Sequence, residues 1–398
     1  MQQIGTLLAE KYVDQPLGRE VAAKLVRAYR DGRFDSFETP EEFAAALTDF
    51  LRPYDGHFAV MRADDATTDE PVGEPVEEPA AFARRQNFGF RRVEVWPGNV
   101  GYLDLRYFED PDLAGSTAAA SMALLANTDA VVIDLRQNGG GSPHMVQLLC
   151  SYFLGADEPI LLNSLYWREG DVTQQFWTLP VVPGGRRPDL PVYVLTSGRT
   201  GSAAEEFAYN LQTRERALIV GEATAGAANP GDLFPLTDGY AIFISTGKAI
   251  NPVTDDNWEG RGVVPDVVVG ALEAEHVAYA KALDALAESH NTAARAREIA
   301  WAREALQARV SPRELTAQEK AAYAAIYGSR QIVIDSGELR FLRGRRPPRL
   351  LEPLGDDRFL LAGVEDRRIE FERDASGRVV RLVEVYLDGK RSAHPRSR

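Results

Sequence analysis

The sequence predicts an α/β core with a largely parallel sheet, preceded by a small helical unit and followed by an antiparallel β appendage. Three observations predict it: short, continuously apolar runs alternate with helical stretches in the middle of the chain, helical periodicity dominates the first fifty residues, and two-residue alternation dominates the last seventy.

Within residues 1–62, Leu7, Leu8, Val21, Leu25, Val26 and Tyr29 recur at helical spacing. Thr39-Pro40-Glu41-Glu42 spells an N-cap, a proline at the first helical position and two acids in the first turn of a third helix running through Leu51. Residues 63–87 turn acidic, rich in proline and poor in large apolar side chains, the composition of a loop or linker. From 88 to 275, Val100–Leu105, Ala130–Leu135, Pro191–Thr196 and Ala217–Val220 read as buried strands. Helical segments near 115–127, 143–154 and 202–213 separate them. Residues 276–327 read as a helical connection and 328–398 as a small β-rich domain, with a turn at Asp374-Ala375-Ser376-Gly377.

With 398 residues the chain exceeds one ordinary core, so several structural units are expected. Its net charge of −14 opposes binding to phosphate backbones and argues against nucleic acid as a partner. No apolar run reaches the ~20 residues that span a bilayer. The first residues lack a basic stretch followed by a long apolar one, so the sequence as it stands reads as cytoplasmic, or as periplasmic or secreted if a leader has been removed. Cys150 is the single cysteine and sits in an apolar run, which excludes an intrachain disulfide and a cysteine zinc cluster and marks it as a small buried hydrophobe. No cofactor or metal is called for.

Two stretches suit chemistry. In Val194-Leu195-Thr196-Ser197-Gly198-Arg199-Thr200-Gly201-Ser202-Ala203-Ala204-Glu205 a buried strand ends, a turn follows and a helix begins at Ser202. A hydroxyl at a helix N-terminus meets free N–H groups and the positive end of the dipole. Serine is also a favoured N-cap, so this stretch alone does not separate a cap from a nucleophile. In Asp134-Leu135-Arg136-Gln137-Asn138-Gly139-Gly140-Gly141 a strand runs into three glycines, whose backbone can approach a ligand and aim N–H groups at one point, as an oxyanion hole requires. A phosphate cradle is the rival, but neither the Gly-Lys-Ser/Thr ending nor the G-x-G-x-x-G spacing is present.

These two blocks, followed by Gly221-Glu222-Ala223-Thr224-Ala225-Gly226 and by Glu259-Gly260-Arg261-Gly262-Val263-Val264-Pro265-Asp266, resemble the ordered motifs of the tail-specific proteases. The nearest likeness is to their interphotoreceptor retinoid-binding protein-like and tricorn-like members. With Asp55-Gly56-His57 the likeness extends from near residue 1 to about 285, and the final β unit lies outside it. The resemblance implies a ClpP/crotonase-like core and serine peptidase activity on peptides or unfolded proteins. Tail-specific relatives often carry a PDZ module, for which the stretch between Arg62 and Asn87 is too short and too polar.

One departure bears on mechanism. In the Ser-Lys members the third block ends in the lysine that serves as general base; here that position is Ala227. His57 is the replacement the resemblance implies, since imidazole both takes and returns a proton near neutral pH. Glu259 matches the glutamate of the tricorn-like branch and would steady the imidazolium. The serine that precedes the histidine in that branch is Gly56 here. Asp55 is the alternative orienting acid, disfavoured because neighbours along an extended segment rarely face each other. His144 is a rival base close to the glycines, while His276, His290 and His394 lie in polar stretches and are expected to be solvated. The expected site is therefore Ser202, His57 and Glu259, with an oxyanion hole from Gly140 or Gly141 and from Ala203. Two other classes share the fold: an apolar-ligand-binding module of the retinoid-binding type, and a crotonase-type enzyme acting on acyl-CoA.

Overall fold

The computed structural model describes residues 1–62, 79–155, 157–289 and 292–397. The chain divides into two compact units, Met1–Val95 with Gly101–Ala278, and Trp96–Val100 with Tyr279–Arg398.

The first unit opens with helices α1 (Gln2–Lys11), α2 (Gln15–Arg30) and α3 (Pro40–Leu51). Asp14 caps α2 by accepting the Leu17 N–H, and Thr39 and Glu42 form a reciprocal capping box at α3. The expected N-cap and proline start of the third helix are both present. Strand β1 (Ala59–Arg62) follows directly. Of the stretch read as a linker, residues 63–78 lie outside the described residues, and Pro79–Arg85 corrects that reading by forming a short helix, α4.

The remaining elements of this unit are β2 (Phe90–Trp96), β3 (Val100–Leu105), α5 (Pro111–Leu124), β4 (Ala130–Asp134) and α6 (Pro143–Phe153). They continue with β5 (Leu161–Trp167), β6 (Val172–Trp177), β7 (Val192–Thr196), α7 (Ala203–Gln212) and β8 (Ala217–Gly221). The last are β9 (Gly231–Pro235), β10 (Tyr240–Ser245), β11 (Gly247–Ile250) and β12 (Val267–Val268). The central sheet has the order β12-β8-β7-β4-β3-β2. Its β12/β8, β8/β7 and β7/β4 pairs are parallel. Every residue of β4 and of β7 is buried, which is why both read as unbroken apolar runs: helices cover a parallel sheet on both faces. Because β4 and β7 run the same way, the glycine turn and the serine turn leave the sheet at the same edge. That edge, outside the carboxyl ends of the strands, is where open α/β sheets build their sites.

A second sheet, β1-β10-β9, receives the N-terminal helices. Leu8, Val21, Leu25, Leu47, Leu51 and Phe58 pack with Ile242 and Ile244 of β10 in one apolar cluster. The Thr48 hydroxyl brackets Val60, accepting its N–H at 2.8 Å and donating to its carbonyl at 3.1 Å. The turn between α3 and β1 is thereby fixed, and that turn holds Asp55, Gly56 and His57. Cys150 is fully buried, and burial pushes its thiol well up, as expected of an inert small hydrophobe.

The second unit contains most of the helix Ala274–Ser289, the helices Ala293–Val310 and Ala317–Tyr323, and eight antiparallel strands paired in sequence order between Ala325 and Pro395. A bridge between Tyr327 and Arg396 closes the sheet on itself around Phe341, Phe359, Phe371 and Leu382. His394 corrects an expectation: it is mostly buried, with Nε2 3.2 Å from Glu384 Oε2, because its strand position faces this interior rather than water. His276 is exposed as expected, and His290 lies outside the described residues. Among the described residues no helix is long and apolar enough to cross a membrane.

Candidate active site

The glycine turn and the serine turn are laced together. Asn138, fully buried at the end of the β4 turn, donates its amide to the Leu105 carbonyl at 2.9 Å and accepts the Gly140 N–H at 2.9 Å. Its own carbonyl accepts the Gly201 N–H at 3.0 Å. Ser197 and Thr200 donate their hydroxyls to the carbonyls of Arg136 and Leu135. These bonds fix the turn that carries Ser202 against the turn after β4.

Gly140 shows how close the two come. A Cβ added there would lie 2.8 Å from Ser202 Cβ and 3.2 Å from the Ala203 nitrogen, so only glycine fits. Its φ of +121° needs glycine as well. The Gly140 N–H is already donated to Asn138, which leaves Gly141 as the better-placed donor of the two expected glycines. Ala203 is the first residue of α7, where backbone N–H groups have no intrahelical partner.

Ser202 is exposed and holds φ +50° and ψ −122°, a strained backbone for a residue with a side chain. The strain is sustained by Glu205, which accepts the Ser202 N–H at 2.8 Å, the Thr224 hydroxyl at 2.5 Å, and the N–H groups of Gly226 at 2.7 Å and Ala227 at 3.0 Å. Glu205 is fully buried, and burial pushes its carboxyl above the usual range against the pull of those four donors. The sequence reading assigned Glu205 no role, although a serine N-cap followed three residues later by glutamate is a legible capping pattern. Replacing it with alanine would leave four donors without their acceptor. A loss of at least about 4 kcal/mol is expected, measured by urea unfolding.

Two residues further along the same strap, a second carboxylate takes over. Glu259 Oε2 accepts the N–H groups of Ala228 at 2.8 Å and Asn229 at 2.9 Å, and Oε1 accepts the Gly56 N–H at 3.1 Å. The strap from Gly226 to Asn229 therefore joins Glu205, which holds the Ser202 N–H, to Glu259, which lies beside His57. Ala227, where the resemblance expects a lysine in other members, sits inside it.

His57 Nδ1 lies 3.6 Å from Glu259 Oε2 and 3.8 Å from Asp55 Oδ1, with its ring 5.7 Å from that of Phe243. Burial works against protonating His57, but Glu259, Asp55 and Glu205 outweigh it and hold its pKa above the ordinary histidine value. Burial raises the Glu259 carboxyl, yet His57 and the two strap N–H groups pull it below its usual range. Asp55 corrects the expectation that it would point away. The chain turns here instead of extending, so Asp55 Oδ1 accepts the His57 N–H at 2.8 Å and stays beside the ring. Its side chain is fully buried, and burial together with the charge of Glu259 pushes its pKa up to about 6. His144 is exposed on α6 with its ring edge-on to Phe176 at 5.3 Å.

A serine on a strained strand-to-helix turn with a glycine turn pressed against it, and a histidine beside a fixed carboxylate, are residue types that nucleophilic acyl transfer uses. Residues 99–269 match the family model for peptidase family S41. A carboxyl-terminal-processing protease of Synechocystis is 32% identical over 174 residues, which cover 44% of this chain and 39% of that protein. The carboxy-terminal processing protease CtpB of Bacillus subtilis is 26% identical over 172 residues, covering 43% and 34%. The chain thus spans little more than a third of the length of these curated relatives. A solved putative peptidase from Parabacteroides merdae aligns with a TM-score of 0.48 at 18% identity, over 67% of this chain and 87% of that one. Residues 99–269 are thus similar to the tail-specific peptidases of family S41.

Proposed function

We propose that this protein is a serine endopeptidase that cleaves peptides or unfolded proteins, on a core of the ClpP/crotonase type. Ser202 Oγ attacks the peptide carbonyl while His57 Nε2 takes its proton. The Ser202 Oγ–carbon bond forms, the proton then passes from His57 to the leaving amine as the C–N bond breaks, and water hydrolyses the acyl-enzyme by the reverse sequence. Glu259 holds the imidazole through Nδ1 and stabilises its cation. The N–H groups of Gly141 and Ala203 receive the oxyanion, where one donor is typically worth roughly 3 kcal/mol in the transition state. A Nδ1–carboxylate separation of 3.6 Å is long, as catalytic hydrogen bonds often are before substrate binds.

The observation that carries this reading is the strap Gly226–Asn229, whose N–H groups are shared between Glu205, which fixes the serine, and Glu259, which backs the histidine. A module that only holds an apolar ligand has no use for a half-buried carboxylate held beside a histidine. The test is a fluorophosphonate probe followed by mass mapping: one adduct per chain is expected, on Ser202. Absence of an adduct on the folded protein, or an adduct on another residue, would refute the assignment.

A further inference from the structure

We propose that Asp55, His57 and Glu259 together form a binding site for one divalent metal ion of the zinc type, and that filling it switches off the proton transfer from Ser202. The second half rests on the peptidase reading; the first half does not.

Among the described residues this is the one group of three His, Cys, Asp or Glu side chains whose ligand atoms all lie within 4.8 Å of one another. Two of those side chains hold buried polar atoms without a hydrogen-bond partner, Asp55 Oδ2 and His57 Nδ1. The Asp55 side chain has no exposed surface at all. Buried polar atoms are nearly always paired, and the groups that bear on these two are Tyr12 and Ser245 at Asp55 and Glu259 at His57, none of them within hydrogen-bond distance.

The spacing suits a small tetrahedral ion. Zinc bonds of ~2.0–2.1 Å place neighbouring ligand atoms about 3.3–3.4 Å apart. His57 Nδ1 is 3.8 Å from Asp55 Oδ1 and 3.6 Å from Glu259 Oε2, so a contraction of a few tenths of an ångström would bring each carboxylate to that spacing from the imidazole, with the fourth position left to water. The donors choose the metal: an imidazole nitrogen with two carboxylates suits zinc, whereas magnesium and calcium prefer oxygen alone. The supporting bonds already exist, because three backbone N–H groups orient Glu259 and the His57 N–H orients Asp55. Charge favours the ion too. A buried and a half-buried carboxylate beside a neutral imidazole leave two negative charges when both are ionised, and a dication cancels both.

Occupancy would act through the tautomer. A neutral imidazole bound to metal at Nδ1 carries its single proton on Nε2. That nitrogen can no longer accept the serine proton, so the base is lost although no covalent bond changes.

The test is a calorimetric titration of the full-length Ser202→Ala protein with zinc chloride, repeated after adding Asp55→Asn or His57→Gln. One zinc per chain is expected, unaffected by excess magnesium and weakened at least about 10–100-fold in each double variant, the range that even outer-shell partners command. Circular dichroism spectra matching the parent would show that each variant has folded. Absent binding, or affinity unchanged in both variants, would overturn the site; unchanged affinity would place the ion elsewhere, for instance at His394 and Glu384. With wild-type protein, zinc should stop peptide cleavage and slow fluorophosphonate labelling, and a chelator should restore both. Full labelling and cleavage at saturating zinc would overturn the switch. Zinc binding in a protein that neither cleaves nor labels would uphold the site and refute the peptidase reading, whereas cleavage without zinc binding would refute the site alone.

Discussion

Replacing Ser202 with alanine is expected to lower the rate of peptide hydrolysis by roughly 10⁵–10⁶-fold, the scale on which removing a triad nucleophile acts. The fold should not suffer. The hydroxyl is exposed, and alanine inherits the same φ of +50° that serine already bears. Stability should therefore stay within about 0.5 kcal/mol of the parent. Ser202→Gly sharpens the test, because glycine occupies that φ without strain and should be more stable by about 1 kcal/mol while equally inactive. Cleavage of a denatured protein substrate, read beside urea unfolding of the same samples, checks both. A Ser202→Ala protein retaining more than about a tenth of the parent rate would remove this residue from the mechanism.

Loss of the base should be nearly as severe. His57→Ala is expected to cost roughly 10⁵–10⁶-fold in turnover, since the strap offers no other proton acceptor: the position a lysine would occupy is Ala227. The pH profile gives an independent readout. Only the neutral imidazole accepts a proton, so kcat/KM should fall as pH drops through the His57 pKa. Burial pulls that pKa down, but Glu259, Asp55 and Glu205 raise it further, so the acid limb should have its midpoint above the ordinary value of about 6.5. Glu259→Gln removes an anion that holds the imidazolium. It should move the limb to lower pH and reduce turnover roughly 10⁴-fold, the scale found for loss of a triad acid. An unmoved limb would mean that a different group titrates.

Much of this could be read before any coordinates. Val131–Asp134 and Val192–Thr196 announce themselves as strands because a parallel sheet buries both of their faces, so no polar alternation dilutes the signal. Thr39-Pro40-Glu41-Glu42 marks a helix start through local bonds alone, within reach of adjacent residues. Asp55, Glu205 and Asn138 were less legible for a common reason. Each works through partners that are distant in sequence or created by a turn: Glu205 meets Gly226 and Ala227, Asn138 meets Leu105, and Asp55 faces His57 only because the chain turns between α3 and β1. His394 was misread because its polar surroundings in sequence hide the interior position its strand gives it.

The sequence by itself determined the third N-terminal helix, four strands of the central sheet and the helices between them, the four motif blocks and the alanine at position 227, since capping, periodicity and glycine tolerance are properties of a few adjacent residues. Tertiary structure alone decided that Glu205 and Glu259 share one strap with His57 beside the second, that Gly140 presses on Ser202, and that Asp55 turns inward. Those outcomes depend on hydrogen bonds between segments up to two hundred residues apart, and such bonds leave no local pattern for a sequence reading to detect.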